Sequence, residues 1–396
     1  MTASPYRWTV VSVFVLCSAI NYLDRQTLAT LAPLVRGEFH LTNAEYGLIV
    51  AAFSIAYAAS APFAGLLIDR IGLNRAISLA VCAWSCAGIA TGFTRGLGGL
   101  LGCRTVLGAS EAAGIPGAGK AIHAYLRPAE RAVGNALNQT GVSLGLIAAP
   151  PLATWIAMHY GWRQAFVFTG CLGLLWIPLW RWIARGKQFA LTAVGKPSPG
   201  TILCSPTLWA LVAANALNMS VYSLWTNWTT LYLVDKHHLT LVQANWYAVL
   251  PPAVATLGGF AGGWLSLRGM RAGMPAVTAR AWVCLAGGLL ALPAGVIPLL
   301  PTPAWTAAGI SLSILAVSAV SVNVYTIPLD VFGGRYAAFA VSMLVASYGA
   351  VQALVSPIIG VVVDTHGYAP VCAAAGLLPL ASYGALRLVP VARVQA

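Results

Sequence analysis

The sequence predicts an all-α integral membrane protein in which twelve transmembrane helices form two pseudo-symmetric six-helix bundles. Of its 396 residues, 59% are hydrophobic and only 8% are Asp, Glu, Lys or Arg, whereas a soluble domain carries about 25% charged residues. A soluble fold of this length needs far more polar surface to cover its core. Lipid is therefore the predicted solvent, and apolar runs of about 20 residues, enough to cross a bilayer, recur along the chain.

The predicted spans fall into two sets of six, separated by the longest polar interval in the chain. This interval predicts a cytoplasmic linker at 184–206, between an N-terminal bundle at 1–183 and a C-terminal bundle at 207–396. The first six spans lie near 8–34, 45–68, 76–94, 97–122, 132–157 and 164–183. The second six lie near 207–234, 243–266, 276–300, 303–327, 335–363 and 368–389.

The two halves also resemble each other. The segment 64–70 (AGLLIDR) is echoed by 262–268 (GGWLSLR), and Arg131 before the fifth predicted span is echoed by Arg335 before the eleventh. Coincidence among glycine-rich apolar helices is the alternative explanation, but within each segment the matched positions keep one offset. Internal repeats of this kind are typical of secondary transporters.

The basic residues predict the orientation of the spans. The net charge of +13 comes from Lys and Arg scattered singly between apolar runs, without the basic patch expected of a nucleic-acid-binding protein. With both termini cytoplasmic, fourteen of these residues fall on cytoplasmic segments, and four fall on the opposite side: Arg36, Arg95, Arg163 and Lys236. This asymmetry follows the positive-inside rule. We expect a multi-pass protein of a bacterial-type inner (plasma) membrane with both termini in the cytoplasm.

A few charged residues lie inside the predicted spans. Of nine acidic residues, only Asp24 and Glu111 are well within a span, while Arg25 and Arg104 lie at comparable depth. Lys120 is nearer the cytoplasmic end of its span. Each such residue costs at least ~2.5 kcal/mol unless it is paired or hydrated, so these positions are functional candidates by default. The alternative is an ion pair that locks helices together.

The spacing of these charges predicts how they are used. Arg104 and Glu111 share one helix face but stand about 10 Å apart along the axis, so we expect each to meet a partner on another helix. Asp24 and Arg25 point about 100° apart, so one can line a cavity while the other contacts a neighbouring helix. Burial favours the neutral form of a carboxylate, which suits reversible protonation, whereas arginine stays charged and grips carboxylates.

One segment resembles a known superfamily signature. Residues 65–75 (GLLIDRIGLNR) resemble the loop between helices 2 and 3 of the major facilitator superfamily. In that superfamily the loop forms a charge-relay latch, so the resemblance implies the major facilitator fold and a gating or structural role for Asp69, Arg70 and Arg75. Arg104 and Arg131 are assigned to the same gating or structural group.

A closer resemblance is to the anion:cation symporter family, which includes bacterial hexuronate, glucarate and galactonate carriers. It rests on residues 21–25 (NYLDR), 104–116 (RTVLGASEAAGIP) and 161–166 (GWRQAF). The resemblance implies that Arg25 and Tyr22 contact a substrate carboxylate and that Asp24 and Glu111 are protonation sites. Lys120 falls where relatives often carry a basic residue.

Neutral polar residues in the spans have two interpretations. Gln139, Asn227 and Tyr325 are candidates for hydrogen bonding to sugar hydroxyls, as are Asn138, Asn215, Asn218 and Asn323. For each residue taken singly, an interhelical hydrogen bond worth about 0.6 kcal/mol is the better interpretation. Trp180 and Trp182 are predicted to be interfacial anchors.

The sequence thus predicts a monomeric secondary transporter rather than an enzyme. It is expected to carry a small organic anion, a sugar acid such as a hexuronate or aldonate, or a carboxylate, by alternating access with H⁺ as coupling ion and no cofactor. Two alternatives stay open. One is a proton-antiport exporter of drugs or metabolites, and the other is a membrane enzyme or sensor, for which no Ser-His-Asp set, metal cluster or phosphate loop is present in the sequence.

Overall fold

The computed structural model describes residues 4–126, 130–184 and 202–388, and within these ranges every regular element is a helix. The predicted all-α class is therefore confirmed. The helices of the first half are α1 (Ser4–Phe39), α2 (Asn43–Ile71), α3 (Leu73–Thr91), α4 (Leu97–Glu111), α5 (Gly114–Tyr125), α6 (Arg131–Tyr160) and α7 (Trp162–Ile183).

The helices of the second half include one of 64 residues. They are α8 (Pro206–His237), α9 (Leu241–Ala248), α10 (Leu250–Arg271), α11 (Ala276–Ala291), a 3₁₀ helix (Leu292–Leu299), α12 (Pro303–His366) and α13 (Ala369–Leu386). The spans predicted at 303–327 and 335–363 both lie on α12, which carries two apolar segments of membrane length, Pro303–Phe332 and Ala340–His366.

Within the described ranges, ten helical segments are long and apolar enough to cross a membrane. The two other predicted spans coincide with the α4–α5 pair and with α8, which are helical but do not meet that criterion. Neither α4 nor α5 alone reaches the necessary length, and three asparagines lower the mean hydropathy of α8.

Proline breaks two of the predicted spans into pairs of helices. The span predicted at 97–122 is interrupted between α4 and α5, and the span at 243–266 is interrupted between α9 and α10. A proline inside a helix lacks an N–H group, and its ring clashes with the carbonyl four residues earlier. Pro116 acts in this way on Ala112, and Pro251 and Pro252 act on the end of α9. Each of these predicted spans thus consists of two consecutive helices, and the one at 243–266 lies within the apolar segment Leu241–Arg271.

The chain divides into two compact units. Unit 1 comprises residues 1–194 and 241–249, and unit 2 comprises residues 195–240 and 250–396. The short helix α9 thus belongs to unit 1, where the Asn245 amide donates hydrogen bonds to the Thr30 carbonyl (3.1 Å) and to Thr154 Oγ1 (2.8 Å). Of the predicted linker, residues 185–201 lie outside the described ranges.

In unit 1, glycine allows α6 to lie directly against α1. A Cβ on Gly141 would be only 2.6 Å from the Val15 carbonyl oxygen, and one on Gly145 would meet the Ala19 carbonyl in the same way. Small residues supply such close packing in lipid, where no hydrophobic force drives helices together. This contact fixes α6 beside the part of α1 that precedes Arg25.

The prediction that Trp180 is an interfacial anchor is wrong, whereas the nearby Trp182 is exposed. Trp180 is completely buried, with its ring stacked on that of Trp176 at 5.3 Å and edge-on to Phe14. Trp182 is 66% exposed. Residues two positions apart on a helix point about 200° apart, so Trp182 faces outward where Trp180 faces the core.

In unit 2, buried asparagines join helices through backbone carbonyls. The Asn215 amide of α8 donates to the Leu344 carbonyl (2.8 Å), and the Asn218 amide donates to that of Val317 (3.0 Å). Asn323 of α12 donates to the Gly262 carbonyl of α10 (3.1 Å). The interpretation of these residues as interhelical hydrogen-bond donors is confirmed.

Candidate functional site

Unit 1 contains a cavity of about 100 Å³ among α1 to α6. Part of its wall is apolar, with Phe14, Trp84 and Ile115 among the residues that form it. Four helices, α1, α2, α4 and α6, supply the other polar and charged side chains in its wall: Ser18, Asn21, Tyr22, Arg25, Tyr57, Glu111, Asn138 and Gln139. The cavity wall therefore contains one charged residue of the first predicted span, Arg25, and one of the fourth, Glu111.

Arg25 and Glu111 form an ion pair at the wall of this cavity. Arg25 Nε and Nη2 both donate to Glu111 Oε2, at 3.0 Å and 2.8 Å. The Glu111 side chain is fully buried, whereas that of Arg25 is 18% exposed. The expectation that Glu111 finds a partner on another helix is confirmed, and Glu111 is the last residue of α4, just before the break that Pro116 imposes.

Three aromatic rings surround the Arg25 guanidinium. Its central carbon lies 4.8 Å from the ring centroids of Tyr22 and Phe53 and 5.1 Å from that of Tyr57. Cation–π contacts of this kind contribute about 0.5–2 kcal/mol, and more when the cation is removed from water. The rings stabilise the permanent charge of Arg25 in the membrane without neutralising it.

Asp24 lies next to Arg25 in sequence but does not line the cavity. It is 3% exposed, and one of its carboxylate oxygens is 3.9 Å from the position that a Cβ on Gly88 of α3 would occupy. Neither carboxylate oxygen makes a hydrogen bond within the described residues. The prediction that Asp24 and Arg25 point in different directions is confirmed, since Arg25 lines a cavity while Asp24 faces neighbouring helices.

A neutral amide face completes the cavity. The Ser18 hydroxyl donates to Asn138 Oδ1 at 2.7 Å, which joins α1 to α6. Asn21 is 5% exposed, and its Nδ2 group has no hydrogen-bond partner within the described residues. Gln139 is exposed and lines the cavity as well.

Sequence reasoning missed part of the cavity wall and of the aromatic shell around Arg25. Ser18, Tyr57 and Phe53 were not among the predicted site residues, because a neutral side chain in an apolar helix has little effect on hydropathy. A helical pattern could have found some of them. Ser18, Asn21 and Arg25 recur at intervals of three and four residues, which places them on one face of α1.

The remaining predicted site residues lie elsewhere. Lys120 is half-buried on α5 and does not line the cavity. In unit 2, the Asn227 amide donates to the Ser223 carbonyl of its own helix (2.9 Å), and Tyr325 packs against an apolar core.

The structure describes the side chains of three of the five residues predicted to have a gating or structural role. Arg104 is buried, with its guanidinium 5.8 Å from the Phe166 ring of α7. Arg70 and Arg75 are exposed. The side chains of Asp69 and Arg131 lie outside the described part of the chain.

Together, helices of membrane length and a cavity with buried charges define a multi-pass membrane transporter. The chain belongs to the Major Facilitator Superfamily, whose family model matches residues 14–343. The predicted superfamily is thereby confirmed, and the protein is a transporter and not an enzyme.

Known proteins similar to this chain include transporters of small acids. The Hexuronate transporter of Escherichia coli (strain K12) is 27% identical over 395 residues, which cover 94% of this chain and 91% of that protein. The "Probable sulfoacetate transporter" of Cupriavidus necator is 28% identical, over 91% of this chain and 88% of that protein.

A solved structure has a similar fold. The inward-facing, unoccupied form of a bacterial homologue of the human lysosomal transporter Spinster superposes with a TM-score of 0.78. It is 21% identical and covers 98% of this chain and 95% of that chain. At this identity the likeness establishes the fold alone.

Proposed function

We propose that this protein imports a small organic anion, of the sugar-acid class, together with protons, by alternating access in a bacterial inner membrane. The protein acts as a monomer with both termini in the cytoplasm. Two kinds of observation support this proposal. Its relatives include a hexuronate transporter over nearly the full length of both chains, and the cavity in unit 1 contains an arginine, the residue that best grips a carboxylate.

The observation that carries the proposal is the Arg25–Glu111 ion pair. Both hydrogen bonds of Arg25 go to one oxygen of Glu111, so a substrate carboxylate that binds Arg25 competes with Glu111 for the same donors. If Glu111 takes up a proton, it releases these donors and the substrate replaces its negative charge. Proton uptake and anion binding then favour each other, which is the thermodynamic requirement for symport.

Asp24 is the second candidate proton carrier. An ionised carboxylate without partners is costly in an apolar environment, and neither oxygen of Asp24 makes a hydrogen bond within the described residues. The neutral form reduces that cost. We therefore expect Asp24 to be protonated in those steps of the transport cycle in which it stays buried.

Coupling to protons also solves an energetic problem. Importing one negative charge against a negative interior costs about 2.3 kcal/mol per 100 mV. One proton carried with each monoanion cancels this cost. Additional protons would make the inward movement electrically favourable.

Uptake of radiolabelled D-glucuronate by proteoliposomes tests the proposal. With the outside more acidic than the lumen, we expect accumulation above equilibrium, and a protonophore should abolish it. Glu111→Gln should still exchange substrate across the membrane but should no longer accumulate it. Glu38→Gln, which removes an exposed carboxylate from the same unit, is the matched control and should accumulate substrate like the wild type.

Two results would contradict different parts of the proposal. Accumulation that survives the protonophore, with Na⁺ absent, would exclude proton coupling. A lack of uptake or binding for every hexuronate, aldonate and short carboxylate tested would exclude the substrate class.

A further inference from the structure

The charges at the cavity wall are few enough to count. Of the described residues that line the cavity, Arg25 alone is cationic and Glu111 alone is anionic. Arg104 and Lys120 do not line it. The net charge of the wall is therefore zero when Glu111 is ionised and +1 when Glu111 is protonated.

The wall charge of +1 with Glu111 protonated equals, with opposite sign, the charge of one substrate carboxylate. With Glu111 protonated, a single substrate carboxylate neutralises Arg25 completely. A second carboxylate would enter the site with no cation among these lining residues to pair with it. Removing an ion from water without a partner costs several kcal/mol, so a dicarboxylate loses affinity relative to a monocarboxylate of the same skeleton.

Neutral donors in the same wall suit hydroxyl groups. Asn21 is buried beside Glu111, and its Nδ2 group has no partner at hydrogen-bond distance within the described residues, so its N–H groups can turn to a ligand hydroxyl when Glu111 is protonated. The Ser18 hydroxyl donates to Asn138 Oδ1, so the N–H groups of that amide are left for other acceptors. Amide N–H groups can donate to the oxygen of a substrate hydroxyl. A hydroxyl is neutral, so its burial needs no charged partner.

We infer that the cavity selects a polyhydroxylated acid with one carboxylate over one with two, the carboxylate binding Arg25 and the hydroxyls binding Asn21 and Asn138. This inference rests on the proposed function and narrows it. It separates hexuronates and aldonates from aldarates and from acids such as sulfoacetate, which carries two acidic groups and gives one relative its name.

A series of ligands with one carbon skeleton tests the inference. Galactitol, D-galactonate and galactarate carry zero, one and two carboxylates, and gluconate with glucarate provides a second pair. Binding to the purified wild-type protein is measured by calorimetry at a pH where both carboxylates of the free diacids are ionised. We expect the monocarboxylate of each pair to bind at least about tenfold more tightly, which corresponds to 1.4 kcal/mol, and galactitol to bind more weakly than either acid.

Each outcome of this series has one meaning. Equal or tighter binding of the dicarboxylates would overturn the inference and leave the proposed function intact. If no sugar acid of either charge binds, the proposed function itself fails.

A charge added to the wall provides a second test. Gln139 is exposed and lines the cavity, so Gln139→Lys adds a cation with little demand on packing, and Gln139→Met is the uncharged control. Gln139→Lys should lower the galactonate-to-galactarate affinity ratio by about tenfold, as expected for a close charge pair in a partly desolvated site, and Gln139→Met should leave the ratio unchanged. An unchanged ratio in a Gln139→Lys protein that still binds galactonate would show that charge does not set the selectivity.

The inferred binding of substrate hydroxyls by Asn138 is tested with Asn138→Leu. This variant should weaken galactonate binding several-fold while leaving the affinity for hexanoate, which has the carboxylate but no hydroxyls, unchanged. A parallel loss for both ligands would remove Asn138 from hydroxyl recognition.

Discussion

Unit 1 and unit 2 are both built of membrane-length helices, yet they bury different polar groups. The buried charged side chains in the described ranges all belong to unit 1: Arg7, Asp24, Arg104 and Glu111. The buried polar side chains of unit 2 in the same ranges are neutral, and its buried asparagines, Asn215, Asn218 and Asn323, donate to backbone carbonyls of other helices.

This difference separates function from architecture. A neutral amide in lipid needs only a carbonyl partner, and such bonds contribute about 0.6 kcal/mol on average. A buried charge costs at least ~2.5 kcal/mol, which packing alone does not justify. The proposed function accordingly assigns Arg25, Glu111 and Asp24 of unit 1 to transport chemistry, whereas the buried asparagines of unit 2 join helices.

The largest expected effect is at the charged pair of unit 1. In the proposed complex, Arg25→Ala removes two charge-assisted hydrogen bonds to the substrate carboxylate, each worth about 1.5–3 kcal/mol. The affinity for D-glucuronate, measured by calorimetry, should fall by at least about 100-fold. Arg163→Ala, which removes a more exposed arginine of the same unit, is the control and should bind normally. Normal binding by Arg25→Ala would remove this residue from the site.

A smaller effect is expected when a charge is introduced into unit 2. Asn218→Asp places a carboxylate beside the Val317 carbonyl, an acceptor that cannot pair with it. We expect a loss of at least ~2.5 kcal/mol in the free energy of unfolding at neutral pH, measured by denaturant titration in detergent and relieved at acidic pH.

The matched variant at this position carries no charge. Asn218→Leu loses one interhelical hydrogen bond and should cost about 1 kcal/mol or less, with unchanged substrate affinity. If Asn218→Leu abolishes binding instead, unit 2 contributes more than architecture.

The smallest effect is expected at an exposed ion pair of unit 1. Arg163 Nη1 and Glu38 Oε1 lie 2.6 Å apart, but the side chains of Glu38 and Arg163 are 42% and 36% exposed. Exposed pairs contribute about 0–1 kcal/mol, so Glu38→Gln should shift the thermal unfolding midpoint only slightly. A destabilisation comparable to that of Asn218→Asp would mean that exposure does not govern the cost of charge in this protein.

Local physics made much of the molecule predictable. Apolar runs and isolated charges identify spans without knowledge of the fold, because transfer to lipid depends on composition over about 20 residues. The same reasoning marked Arg25, Asp24 and Glu111, since each is expensive where it stands. Hydropathy did not locate the helix breaks near Pro116 and Pro251, because it takes no account of the missing proline N–H.

By itself, then, the sequence determined the helical membrane class, the superfamily, and which charges lie in the spans. Only the tertiary structure decided that Glu111 pairs with Arg25, 86 residues away, that Asp24 turns from the cavity, and that Ser18 meets Asn138. These pairings depend on which helices touch and at what depth, and in unit 1 the Gly141 and Gly145 contacts with α1 set that depth. Close packing is a property of two surfaces together, so neither helix sequence specifies it alone.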